Sequence, residues 1–165
     1  MIIITYPRSG SHYLRALIVQ KLDTRIDGSH LIDDADGFVF TIARNPKDTL
    51  QSFITMSSHY HQDIGIQAEI DKYTALYGLL YTRANAVIDY DTLIKNPDAV
   101  IDSISYILNK PVIDHTYEDS MIDRPDEVYL VSSTTSELYG QNHLDGYDLS
   151  KAYEAYNLLL SRRLV

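Results

Sequence analysis

A chain of 165 residues, 45% hydrophobic and 22% charged, has the balance of a folded domain, and residues 1–165 are read as one domain around one core. A net charge of −9 argues against general binding to nucleic-acid backbones, and no apolar run approaches the roughly 20 residues that span a bilayer, so neither nucleic acid nor membrane is expected as a partner. The absence of cysteine excludes disulfides, thiol catalysis and thiolate-held metals, and it fits a reducing cytoplasm, the expected location.

The chain opens on Met1-Ile2-Ile3-Ile4-Thr5-Tyr6, which lacks the basic region of a signal peptide and is too short to be one. It reads as a buried strand over 2–6. The turn Pro7-Arg8-Ser9-Gly10-Ser11 follows, and then Tyr13, Leu14, Leu17, Ile18, Lys21 and Leu22 recur at helical spacing. Residues 38–43 form a second apolar strand. Asn45 then suits a helix N-cap, Pro46 the first helical position and Asp48 the first turn.

Residues 66–84 read as helical, and Ala86-Val87-Ile88-Asp89-Tyr90 as a third strand. Asn96-Pro97-Asp98 repeats the cap-then-proline start, and Val100, Ile101, Ile104, Ile107 and Leu108 supply an apolar helical face. Residues 110–147 give little pattern beyond a possible strand at Val128–Val131. A last helix is expected from near Asp148, burying Leu149, Ala152, Tyr153, Tyr156, Leu159 and Leu160. Strands alternating with helices imply an α/β fold with a mainly parallel sheet flanked by helices. Ligands of such folds sit beyond the C-terminal strand ends.

The charge is unevenly spread. Residues 1–52 balance six basic residues (Arg8, Arg15, Lys21, Arg25, Arg44, Lys47) against six acidic ones, so the rest of the chain carries the whole −9. An anionic ligand finds its best field in the N-terminal third.

Two segments there have the chemistry of anion sites. In Thr5-Tyr6-Pro7-Arg8-Ser9-Gly10-Ser11-His12-Tyr13 a strand feeds a glycine turn that opens a helix. Backbone N–H groups and the helix dipole then favour a phosphate-like group, with Arg8, Ser9 and Ser11 adding donors. No G-x-x-x-x-G-K-[ST] occurs, so this is not a Walker A loop. The bland alternative is an ordinary strand-to-helix turn. In the second segment Arg44 ends a strand beside a helix N-terminus, with Ser52 about two turns on; its alternative is a solvated surface arginine. Two such sites suit one ligand with two separate phosphate-type groups.

These segments resemble the sulfotransferases that use 3′-phosphoadenosine 5′-phosphosulfate (PAPS). Thr5-Tyr6-Pro7-Arg8-Ser9-Gly10-Ser11 is similar to their 5′-phosphosulfate loop, usually T-Y-P-K-S-G-T-T-W. Val39–Ser52 resembles their 3′-phosphate segment, and Ile88-Asp89-Tyr90-Asp91-Thr92-Leu93 with Lys95-Asn96-Pro97 resembles their tyrosine-bearing strand end and the helix after it. The resemblance covers roughly residues 1–52 and 85–109, three motifs in the family's order.

It implies a P-loop-NTPase-like sulfotransferase fold and sulfuryl transfer from PAPS, releasing 3′-phosphoadenosine 5′-phosphate (PAP). The acceptor would be the hydroxyl or amine of a small molecule or glycan. Arg8 matches the family's bridging lysine and has a catalytic part. Ser9, Gly10, Ser11 and His12 match the cradle, Tyr13 a position often held by tryptophan, Arg44 and Ser52 the 3′-phosphate pair, and Tyr90 the adenine-contacting tyrosine. Gly28-Ser29-His30-Leu31 resembles the segment that holds the general base, so His30 is the candidate base, with a free-histidine pKa of about 6.5 suited to the task. Asp33, Asp34 and Asp36 are the nearby substitutes.

The family's C-terminal Arg-Lys-Gly anchor has no clear match: Arg162 and Arg163 precede no glycine, and Ser132-Ser133-Thr134-Thr135-Ser136 is the other source of donors. His59-His61-Asp63 could ligate a metal, but no third cluster supports it, and no metal is expected. The rival readings are a non-catalytic PAP-binding domain and a P-loop-like nucleotide kinase.

Overall fold

The computed structural model describes residues 1–31, 37–60, 62, 64–113 and 142–164. The elements run β1 (Ile2–Ile4), α1 (Ser11–Leu22), β2 (Asp27–Ser29), β3 (Val39–Ala43), α2 (Pro46–His59), α3 (Ile66–Arg83), β4 (Ala86–Asp89), α4 (Tyr90–Lys95), α5 (Pro97–Leu108) and α6 (Ser150–Leu160). The expected strand at 128–131 and the hydroxyl run at 132–136 lie outside the described residues, as do Asp33, Asp34, Asp36, His61 and Asp63.

The four strands form one all-parallel sheet in the order β2-β1-β3-β4. Side chains alternate across it with the period of two that a strand imposes. Ile3, Phe40, Ile42, Ala86 and Ile88 join Leu14, Ile18, Leu93, Val100, Ile101 and Ile104 on the face covered by α1, α4 and α5. Ile4, Val39, Ala43 and Val87 join Leu50, Ile54, Tyr73, Tyr77, Leu80, Ala152 and Leu159 on the face covered by α2, α3 and α6. Both faces of the sheet are therefore buried, which is why its strands read as continuous apolar runs.

The structure differs from the sequence expectation first in β1, which ends at Ile4 and not at Tyr6. A strand forms at Asp27–Ser29, residues with turn chemistry and poor strand propensity; it exists because Ile2, Ile3 and Ile4 supply a ladder for Asp27, Gly28 and Ser29. The third apolar strand ends at Asp89, whose carboxylate accepts from the Asp91 and Thr92 amides and so starts the short helix α4 at Tyr90. In α6 Ala155 joins Ala152 and Leu159 among the buried residues, while Leu149, Tyr156 and Leu160 are partly buried against that core.

The strand order decides where the site lies. From β1 the chain turns through α1 to β2 on one side, then crosses back to β3 on the other. The loops leaving the C-terminal ends of β1 and β3 go to opposite faces and leave a crevice between them, the topological switch point of an open parallel sheet. Among the described residues no helix is long and apolar enough to cross a membrane.

Candidate functional site

The first wall of the crevice is the turn after β1. The Thr5 amide donates to the Ser29 carbonyl over 3.1 Å, extending the β1–β2 ladder to the lip of the turn. Arg8 has φ 68° and Gly10 φ 91°, both in the left-handed region. For Gly10 the glycine is required twice. A side chain is strained at that φ, and a Cβ would stand 3.0 Å from Tyr90 Cε2 and 3.2 Å from Tyr90 Cδ2. Gly10 is also the N-cap of α1, whose first turn holds no acidic residue, so the amides of that turn face the crevice end with their dipole unopposed. Ser9 has no exposed surface and Ser11 very little, whereas His12 and Tyr13 are exposed.

The second wall is the turn after β3. Asn45 Oδ1 accepts from the Lys47 and Asp48 amides, the N-cap that the sequence predicts, and Pro46 follows it. Arg44, just before the cap, turns back across the crevice. Its Nη1 donates to the Arg8 carbonyl oxygen, and its guanidinium carbon lies 4.2 Å from the centre of the Tyr90 ring. Arg44 Nε is buried and has no hydrogen-bond partner among the described residues. From the opposite wall Arg8 Nε donates to Ser52 Oγ on α2 over 3.1 Å. Neither Arg8 nor Arg44 forms an ion pair with a described carboxylate.

The third wall is Tyr90 at the end of β4. Its ring lies with one edge against Gly10 and one face under Arg44. Arg8, Gly10, Arg44, Ser52 and Tyr90, spread over 83 positions of sequence, thus form one cluster of contacts.

His30 follows β2 on the far side of the turn. Its Nδ1 lies 2.7 Å from the Thr5 carbonyl oxygen. A carbonyl oxygen only accepts, so Nδ1 carries the proton, and in the neutral imidazole Nε2 is left with a lone pair. His30 is exposed at this place, so that lone pair is a usable proton acceptor. His12 stands close by: although much of its side chain reaches solvent, desolvation of the covered part, and after it the charges of Arg15, His30 and Arg8, hold its pKa below the ordinary 6.5. Arg15 is drawn to the same side by the Ile26 carbonyl, which accepts from its Nε over 3.1 Å. Arg8 and Arg15 therefore bring positive charge to this rim, a field that favours an anion.

Other residues fall away from the site. Arg162 donates to the carbonyls of Tyr81 and Ala84 and so caps the C-terminal end of α3, at the sheet end opposite the crevice. Arg163 pairs with Val87 through an isolated bridge beside β4. Among the described residues neither makes a hydrogen bond to Arg8, Arg44, Ser52 or Tyr90. Among the described residues no three His, Asp or Glu side chains group as a metal site.

The sequence reading passes over Tyr73 and Tyr77. Both are wholly buried on α3, and both bind the backbone of Arg44. The signal was weak because tyrosines four apart on a helix look like any apolar face.

No family model matches the chain, and no curated protein matches it.

Proposed function

We propose that this chain is a sulfotransferase that moves a sulfuryl group from PAPS to an acceptor hydroxyl or amine, on a P-loop-like sulfotransferase fold. One observation carries the reading: Arg8 and Gly10 of the first anion segment, Arg44 and Ser52 of the second, and Tyr90 meet in a single crevice at the β1/β3 switch point. A ligand with phosphate-type groups at both ends of a nucleoside is the kind of molecule such a paired site takes. The buried Arg44 Nε, without a partner among the described residues, fits the same need, since a bound anion would give it an acceptor.

PAPS supplies the activated sulfuryl group, joined to the 5′-phosphate through one bridging oxygen. His30 Nε2 takes the proton of the acceptor hydroxyl while His30 Nδ1–H stays on the Thr5 carbonyl, which holds the ring in its base-competent tautomer. The acceptor oxygen forms a bond to sulfur as the bond from sulfur to the bridging oxygen breaks, and the electron pair leaves with PAP. Arg8 and the first-turn amides of α1 stabilise the charge that gathers on the departing phosphate. Arg44 and Ser52 hold the 3′-phosphate, and the exposed Tyr13 and the Tyr90 ring flank the adenine.

The test compares PAP with ADP by thermal shift, because a ligand that binds only the folded chain raises its melting temperature by mass action. A larger shift with PAP, followed by transfer of label from PAPS to any of a panel of hydroxyl and amine acceptors, is the expected result. Equal shifts with PAP and ADP overturn the two-phosphate site. PAP binding without turnover of any acceptor replaces the enzyme with a PAP-binding domain.

A further inference from the structure

The paired register of β3 with β4 ends at Ala43, so the polar backbone groups of Arg44 must find partners outside the ladder. They find them on one helix. The Arg44 amide donates to Tyr77 Oη over 3.1 Å, and Tyr73 Oη donates to the Arg44 carbonyl over 2.6 Å. Tyr77 Oη in turn donates to the Ile42 carbonyl at 3.2 Å, with the Arg44 carbonyl a longer alternative at 3.5 Å, so this hydroxyl grips the strand end on both sides of Ala43. A third phenol, Tyr153 on α6, reaches Asn45 Oδ1 at 3.4 Å.

Tyr73 and Tyr77 stack with ring centres 4.1 Å apart and planes 25° apart, and neither has exposed surface. Two phenylalanines would fill this part of the core equally well without the desolvation of two hydroxyls. Burial pushes both phenols up from their ordinary pKa of 10.0, so they stay neutral and keep their protons for donation. What the hydroxyls add is a fixed backbone at Arg44, and from that backbone the guanidinium reaches the Arg8 carbonyl and the Tyr90 ring.

We propose that Tyr73 and Tyr77 are positioning residues of the anion site: by gripping the backbone of Arg44 they set the direction of its guanidinium and thereby the preference for a nucleotide with a second phosphate. This inference rests on the reading of Arg44 as the 3′-phosphate clamp. The experiment measures dissociation constants of PAP and of adenosine 5′-phosphate, which differ only in the 3′-phosphate, for the full chain and for Tyr73→Phe, Tyr77→Phe and Arg44→Ala. The expected result is a loss of PAP affinity of about tenfold in each tyrosine variant, with adenosine 5′-phosphate affinity unchanged. In the Arg44→Ala background the tyrosine substitutions should add no further loss, since their effect runs through Arg44.

A merely structural role predicts the opposite pattern, with both nucleotides weakened alike and the loss persisting without Arg44; that result overturns the inference. Should Tyr77→Phe fail to fold, Tyr73→Phe, which removes the bond to the Arg44 carbonyl and leaves Tyr77 in place on the Arg44 amide, decides the matter alone. A native chain that prefers PAP, with tyrosine variants that keep the full preference, sinks this inference and leaves the sulfotransferase reading standing. A native chain that binds both nucleotides equally sinks the reading of Arg44 and this inference with it.

Discussion

Arg8 Nε donates to Ser52 Oγ over 3.1 Å although the two residues stand 44 positions apart, one on the turn after β1 and the other two turns into α2. The bond ties the two anion segments together across the crevice. It also places a guanidinium that has no ion pair among the described residues beside the hydroxyl expected to hold the 3′-phosphate. Ser52→Ala should therefore weaken PAP binding by about tenfold, the loss of one hydrogen bond to a charged group, and lower the melting temperature by about 2–4 °C for the roughly 1 kcal/mol lost with the bond to Arg8. Undiminished PAP affinity in isothermal calorimetry would show that Ser52 only orients Arg8.

Arg44→Ala removes the guanidinium from the Arg8 carbonyl and from the Tyr90 ring. A charge-assisted hydrogen bond to a phosphate contributes about 1.5–3 kcal/mol, so PAP affinity should fall by about one to two orders of magnitude. ADP, which lacks a 3′-phosphate, should be affected far less. Parallel titrations of the two nucleotides distinguish loss of the clamp from general disruption.

Gly10→Ala places a Cβ at φ 91° and within 3.0 Å of the Tyr90 ring. The left-handed backbone alone costs about 1–2 kcal/mol for a residue with a side chain. For a chain of this size that corresponds to a fall in melting temperature of about 2–8 °C. PAP affinity should drop as well, because Tyr90 and the turn must move apart. A variant as stable as the parent would mean that the turn adopts another conformation in solution.

His30→Ala should leave PAP affinity nearly intact and cut turnover by about a hundredfold or more, the ordinary contribution of a general base. Retained turnover, together with its abolition by Asp33→Asn or Asp34→Asn, would transfer the role to those carboxylates.

His12 gives a pH signature. Its pKa is lowered in the folded chain, so the unfolded chain takes up the proton first. Its contribution to stability is therefore complete above about pH 6.5 and is lost as the pH falls below that value. A bound phosphate group would raise the His12 pKa, so PAP should bind with net proton uptake and bind more tightly as the pH drops toward 6. Calorimetry in two buffers of different ionisation enthalpy measures that uptake, and His12→Gln should abolish it. Equal uptake in the variant would assign the proton to another group.

What the sequence determined by itself is what depends on neighbours within a few positions. The helical period in Leu14, Leu17, Ile18 and Leu22, the caps at Asn45 and Asn96 and the apolar strands expected over 2–6 and 38–43 form where their patterns put them, the first ending early at Ile4 and the second starting at Val39, because caps and amphipathic faces are local chemistry. The α/β class with a parallel sheet followed from their alternation. Strand order did not. Nothing in a run of isoleucines says that β1 lies between β2 and β3, yet that order makes the crevice and draws Arg8 to Ser52 and Arg44 to Tyr90. The Asp27–Ser29 strand was illegible for the same reason, since its ladder comes from β1 and not from its own residues. Tyr73 and Tyr77 show the limit most sharply: in sequence they are two aromatic residues on a buried helical face. Only the tertiary structure brings their hydroxyls to Arg44, because the backbone groups left unpaired at a strand end must be met by whatever polar atoms the fold carries to them.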